Sequence, residues 1–305
     1  MLVDALQSRY SGILPGDGIV LPRVLQLCQW YLSAGLGDKD AENRLSSADD
    51  AVYWQQLSEV FIANELAQNG LAPTRKKDGP DFLVKDEGRR IWIEVICPEP
   101  KGVPDSWLSR TMGTVVSLPH AEILLRWTSA IKEKLEKLAG KPGLPRTGYL
   151  AKGVVEPTDA YVIAVNGRLL RDVFPQIEGI SQYPFAVEAT LAVGPLAVQI
   201  HRETLETLSS GLQHRPMLPK PNGSPVPSDT FFDPRYAPVS GVWAVDFDVN
   251  VLFGSRQPSI LVHNHAATNR VPASLLPVQS EYAATVSQDE YTVVRKDGRL
   301  VEPTR

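Results

Sequence analysis

The chain has 305 residues, enough for one large domain or two modest ones, and its 43% apolar and 22% charged residues suit an ordinary globular protein. A net charge of −4 argues against strong indiscriminate binding to nucleic acid, and no apolar run approaches membrane-spanning length. Cys28 and Cys97 are too few for a disulfide framework or a cysteine zinc site, and the start Met1-Leu2-Val3-Asp4 lacks a secretory pattern, so a cytoplasmic protein is expected.

In chain order, residues 1–49 read as a helical and irregular extension, with an apolar helix over 21–34 behind Pro22. Residues 50–213 alternate helix and strand and are expected to form the core. Asp50 is a plausible N-cap for a helix to about residue 69, stopped by Gly70. On its wheel Glu59 shares a face with Val52, Ile62, Ala63 and Leu66, while Tyr53, Leu57, Val60 and Phe61 line the other face. Apolar residues all round predict a buried helix. Two short strands follow, 79–84 and 90–96, joined by a polar turn at 85–88. Residues 119–138 read as a helix closed by Gly140 and Pro142. Leu124, Trp127, Ile131, Leu135 and Leu138 form its apolar stripe at about 100° per residue. Lys134 falls inside that stripe, Lys137 on its flank and Lys132 on the far side.

Next come an apolar strand at 160–165, an apolar stretch at 185–200 broken by Gly194-Pro195, and a short helix at 201–212. Residues 214–305 begin with a proline-rich connection at 215–229 and continue as strands at 242–253, 259–263 and 290–295. This segment either packs on the core sheet or forms a small separate unit. The order predicts an α/β or α+β fold with a mixed central sheet flanked by helices.

The hairpin carries the chemistry. In Ile91-Trp92-Ile93-Glu94-Val95-Ile96 every residue except Glu94 is apolar, so the strand is expected to be covered on both faces. A carboxylate buried there costs several kcal/mol unless a cation or strong donors satisfy it. Asp81 follows Pro80 at the start of the first strand, from which its side chain can join Glu94. Two carboxylates closing on one divalent ion explain both residues together; a surface hairpin with ordinary charges is the plainer alternative. Lys134, an ammonium aimed at a core, likewise needs an acidic partner, unless it snorkels along the stripe to water.

Pro80-Asp81, a short gap, then Glu94-Val95-Ile96 resembles the signature of the restriction-endonuclease-like superfamily, the PD-(D/E)xK nucleases. The resemblance covers roughly residues 50–200 and rests on few positions. It implies a divalent-metal-dependent nuclease in which Asp81, Glu94 and the main-chain carbonyl of Val95 hold Mg2+ or Mn2+, on DNA in preference to RNA. It makes Glu59 the counterpart of the helical acidic residue that such proteins often carry. The third signature position, normally lysine, is Ile96, which cannot orient a water or offset charge. Some members supply the lysine from a helix, and Lys134 is the candidate here. Arg75, Lys76, Lys77, Arg89 and Arg90 border the hairpin and are candidates for holding phosphates, although such clusters are more often solvated loops. The second reading, supported by Ile96, is a protein of this architecture that binds nucleic acid or a partner protein without turnover. A homo-oligomer is compatible with the sequence.

Other constellations are weaker. His263-Asn264-His265, with a strand aspartate, would make a metallohydrolase, but a strand ending in a polar loop accounts for it. Asp246, Asp248 and Asn250 alternate with apolar residues and read as the solvent side of a strand rather than a second acidic site.

Overall fold

The computed structural model describes residues 1–11, 18–109, 113–172, 175–288 and 290–299. Its helices are α1 (Leu2–Tyr10), α2 (Val20–Ser33), α3 (Ala41–Leu45), α4 (Asp50–Gln68), α5 (Asp105–Leu108), α6 (His120–Ala139) and α7 (Phe185–Leu191). The strands are β1 (Phe82–Asp86), β2 (Arg89–Ile96), β3 (Ala160–Asn166), β4 (Val193–Ile200), β5 (Thr207–His214), β6 (Met217–Pro219), β7 (Pro225–Pro227), β8 (Gly241–Val245), β9 (Ser259–His263), β10 (Ser280–Val286) and β11 (Tyr291–Asp297). A seven-stranded mixed sheet runs β1-β2-β3-β8-β9-β10-β11, parallel through β2, β3 and β8. The fold is therefore α+β, with the helices on the two faces of one mixed sheet. No described helix is long and apolar enough to cross a membrane.

Strand alternation divides the core. Ile91, Ile93, Val95 and Cys97 face α1–α4, whereas Trp92 and Ile96 face α6 and α7. β3 repeats the division, with Val162 and Ala164 on one side and Tyr161, Ile163 and Val165 on the other. Coverage of β2 on both faces follows the expectation from its unbroken apolar run. Glu94, between Trp92 and Ile96 in the alternation, is directed at α6.

β1 and β2 close through Glu87 and Gly88, both at positive φ (45° and 81°), the geometry of a tight hairpin turn. Their register pairs Phe82 with Ile93, and one further step sets Asp81 opposite Glu94. α4 begins at Asp50, but its N-cap is Asp49, whose carboxylate accepts from the amides of Ala51 and Val52. Asp49→Ala should cost about 1 kcal/mol in urea denaturation; an unchanged midpoint would show that the cap contributes nothing.

Several expectations need correction. Residues 201–212 hold no helix: β5 occupies Thr207–His214 and pairs antiparallel with β4. The leucines at 205, 208 and 212 mimic helical spacing, but Ser209-Ser210-Gly211 favours helix poorly and the partner strand wins. The proline-rich connection is a short ribbon, β6 with β7, whose prolines sit where no ladder donor is needed. The 242–253 strand stops at Val245. Beyond it Asp246 and Asp248 are buried, not solvent-facing, and clamp the Arg171 guanidinium at 2.7 and 2.9 Å. β10 lacked a strand signal and is positioned by parallel pairing with β9. β8, β9, β10 and β11 lie in the same sheet as β1–β3.

Candidate active site

β1 begins at Phe82, opposite Ile93, three residues short of the C-terminal end of β2 at Ile96, leaving backbone groups of β2 for side chains to satisfy. Asp81 Oδ2 accepts from the amide of Val95 at 2.7 Å. Gln55, on α4, donates its Nε2 to the Val95 carbonyl at 3.3 Å and accepts from the Cys97 amide through Oε1 at 2.9 Å. A carbonyl has two lone pairs, so Gln55 leaves acceptor capacity on Val95.

Glu94 is 2% exposed. Its Oε1 accepts from Lys134 Nζ at 3.0 Å and from Lys137 Nζ at 2.9 Å, both reaching over from α6. The two lysines are three residues apart and so lie on one helix face. Lys134 is buried and the Lys137 side chain is 45% exposed. Glu94 Oε2 is buried and has no hydrogen-bond partner among the described residues.

The electrostatics separate the two acids. Burial raises the Asp81 pKa first, and the nearby Glu59 and Glu94 carboxylates raise it further; Lys134 opposes them without reversing the result. Its carboxyl therefore titrates well above the ordinary carboxylate range. Burial pushes Glu94 upward as well, but Lys134 and Lys137 outweigh it and hold the group below its usual value. Burial also raises the Tyr149 phenol, on the cleft wall, with Glu94 adding to the effect.

Glu59 lies on α4, behind Asp81. It accepts from Gln56 Nε2 (3.0 Å), Tyr31 Oη (3.1 Å), Arg75 (3.4 Å) and Gln55 Nε2 (3.5 Å). Arg75 also pairs with Asp38 at 3.5 Å. These groups line a cleft of about 600 Å3 that includes Gln55, Glu59, Arg75, Asp81, Glu94 and Lys134.

The structure thus brings together Asp81, Glu94, Val95, Lys134, Glu59 and Arg75. Lys134 is directed to Glu94 rather than snorkelling to water. It does not bring Arg90 there. That guanidinium stands 3.5 Å from Asp159 and over the Trp92 ring, four residues and about 13 Å along β2 from Glu94. Lys76 and Lys77 are exposed on the approach to β1 and do not line the cleft. Sequence reasoning missed Gln55 and the contact made by Lys137. The spacing of Gln55 four residues before Glu59 on a buried helix was its available signal.

Elsewhere, His263 pairs with Glu281 at 3.0 Å and the His265 ring leans on Phe232. Val245 pairs with Ser259 while Gly241 pairs with His263, so Asp246 lies at the opposite strand end from the histidines. The metallohydrolase reading loses its ligand set. Among the described residues no group of three or more His, Cys, Asp or Glu has metal-holding geometry. Comparison with protein-family models, curated proteins and solved structures finds no match.

Proposed function

We propose that this protein is a divalent-metal-dependent nuclease that hydrolyses phosphodiester bonds in DNA. The observation that carries the reading is Glu94: a buried carboxylate with one oxygen held by two lysines, the other unpartnered, and Asp81 opposite it. Mg2+ ordinarily takes one or two protein carboxylates and completes its shell with waters and substrate phosphates. Asp81, Glu94 and the Val95 carbonyl fit that requirement, and a set of three acidic groups is not needed. Mn2+, an oxygen-preferring ion of similar kind, fits the same donors.

When bound, the ion supplies an activated water and offsets charge on the scissile phosphate. The chain's own groups do the rest. Glu59, fixed by Tyr31, Gln56 and Arg75, adds negative field at Asp81 and so favours a cation there. Gln55 holds the Val95 carbonyl from α4. Lys134 takes the place of the signature lysine that Ile96 cannot fill, and Lys137 presents a second ammonium from the same face. With Glu94 turned to a cation, these two donors are free to stabilise phosphate oxygens.

Calorimetric titration with Mg2+ and Mn2+, beside cleavage assays on duplex DNA, single-stranded DNA and RNA, tests the reading. The expected result is metal binding and DNA cleavage in the wild type, both lost in Asp81→Ala. A second reading, binding of nucleic acid without turnover, is favoured by Ile96 and by the lysines that already satisfy Glu94 Oε1. Metal binding without cleavage of any of these substrates would select it.

A further inference from the structure

The last carbonyls of a helix find no partner within it, and at the end of α6 the returning chain supplies two. Tyr149 donates its amide to the Lys137 carbonyl at 2.9 Å, and Leu150 donates to that of Leu138 at 3.1 Å. The Tyr149 carbonyl in turn accepts from the Val154 amide at 3.0 Å, so both main-chain polar groups of this residue are tied down. Gly148 makes the approach possible. A Cβ there would stand 2.4 Å from the Gly140 nitrogen and 2.5 Å from the Leu138 oxygen, closer than any side chain tolerates.

Anchored beside Lys137, the Tyr149 ring lines the cleft together with Asp81, Glu94 and Lys134. Its hydroxyl makes no hydrogen bond among the described residues. Burial is the largest influence on its acidity and raises the pKa; Glu94 and Asp81 add to the rise, while Lys137 and Arg75 oppose it. These four charges come from β2, from α6 and from the segment before β1, so the phenol stands among the groups of the site. It keeps its proton throughout the neutral range and is therefore a donor, not a base. Lys134 and Lys137 are engaged with Glu94, whereas this donor is uncommitted.

We propose that Tyr149 is a catalytic residue of the phosphodiester hydrolysis, its hydroxyl donating a hydrogen bond to a non-bridging oxygen of the scissile phosphate. The inference rests on the nuclease reading. No proton changes hands: the phenol stays neutral, and its bond strengthens as charge grows on the phosphate oxygens in the transition state. A donor fixed in advance at such a place contributes about 10²-fold or more to the rate. Stacking of the ring on a nucleobase is the rival role. Tyr149→Phe keeps the ring and removes only the donor, so it separates the two.

Steady-state DNA cleavage in Mg2+ by the full chain, Tyr149→Phe and Tyr149→Ala tests it. Tyr149→Phe should lose about 10²-fold in kcat, with KM, calorimetric Mg2+ affinity and melting temperature unchanged. Sulfur is a weak acceptor. A substrate with sulfur at one non-bridging oxygen of the scissile phosphate should therefore slow the wild type more than Tyr149→Phe, in one of its two diastereomers. A Tyr149→Phe kcat equal to the wild type's overturns the proposal and leaves the nuclease reading standing. Loss confined to Tyr149→Ala assigns the ring to stacking and overturns it as well, as do equal sulfur effects in both enzymes. A wild type that cleaves no DNA ends both readings together.

Discussion

Asp81→Asn should abolish metal-dependent cleavage and at the same time stabilise the metal-free protein at pH 8. Loss of an ion-binding carboxylate removes several kcal/mol of transition-state stabilisation, about 10³-fold in rate. The stability gain follows from linkage. Asp81 has a folded-state pKa raised by burial, Glu59 and Glu94. Below pH 3.8 it is protonated in both folded and unfolded chains. As pH rises from there through the raised folded value, the unfolded chain gives up its proton first, and stability falls. A neutral amide escapes that fall, so the benefit of the substitution should be nil near pH 3 and should grow as pH rises. Each 1 kcal/mol moves the melting temperature by about 2–4 °C in domains of 150–250 residues. Mg2+ should reverse the ranking by stabilising only the wild type, by about 2.7 kcal/mol at a hundredfold excess over Kd. Melting curves in EDTA and in Mg2+ at both pH values decide the matter. A variant that cleaves like the wild type, or that is less stable at pH 8 in EDTA, contradicts the assignment.

Glu94→Gln should do the opposite to stability. The substitution leaves the Lys134 ammonium buried with its counter-charge removed, and breaking a buried pair in this way costs about 3–5 kcal/mol. Lys137, half exposed, turns to water at little cost. The lysines hold the Glu94 folded-state pKa below its usual 4.5. Its contribution is therefore complete above pH 4.5 and fades as pH falls through the lowered folded value, so the cost of Glu94→Gln should shrink in acid. Adding Lys134→Met should recover much of the loss by removing both buried charges together. Urea unfolding of the three proteins at neutral and acid pH measures all of this; a Glu94→Gln midpoint equal to the wild type's would mean that the pair contributes nothing. Two acids that face each other thus answer neutralisation with opposite signs. Asp81→Asn is consequently the cleaner reporter of catalysis, because Glu94→Gln mixes lost chemistry with lost stability.

Much of the cleft was legible because two charges break apolar patterns. Glu94 interrupts a run that otherwise buries both faces, and Lys134 interrupts the stripe of α6; each anomaly called for a partner, and each is the other's. Lys137 was harder to read, since it follows a plain helical surface pattern, and Gln55 offered only its spacing to Glu59. The stretch at 201–212, whose second half lies in β5, reads as a helix because leucine spacing is a local signal while strand pairing is not. Asp246 and Asp248 were misread for the same reason: their partner, Arg171, is far away in sequence and no periodicity announces it.

The amino-acid sequence alone determined which faces of α4, α6 and β2 are apolar, and therefore which few polar groups must be buried and satisfied. Only the tertiary structure decided that Asp81 stands opposite Glu94, that two lysines rather than one reach it, and that β8 to β11 extend the sheet begun by β1 to β3. Local patterning sets side-chain direction through the 3.6- and 2-residue periods of helix and strand. Which groups then meet depends on register and crossover, which involve residues tens of positions apart and are selected by packing of the whole core.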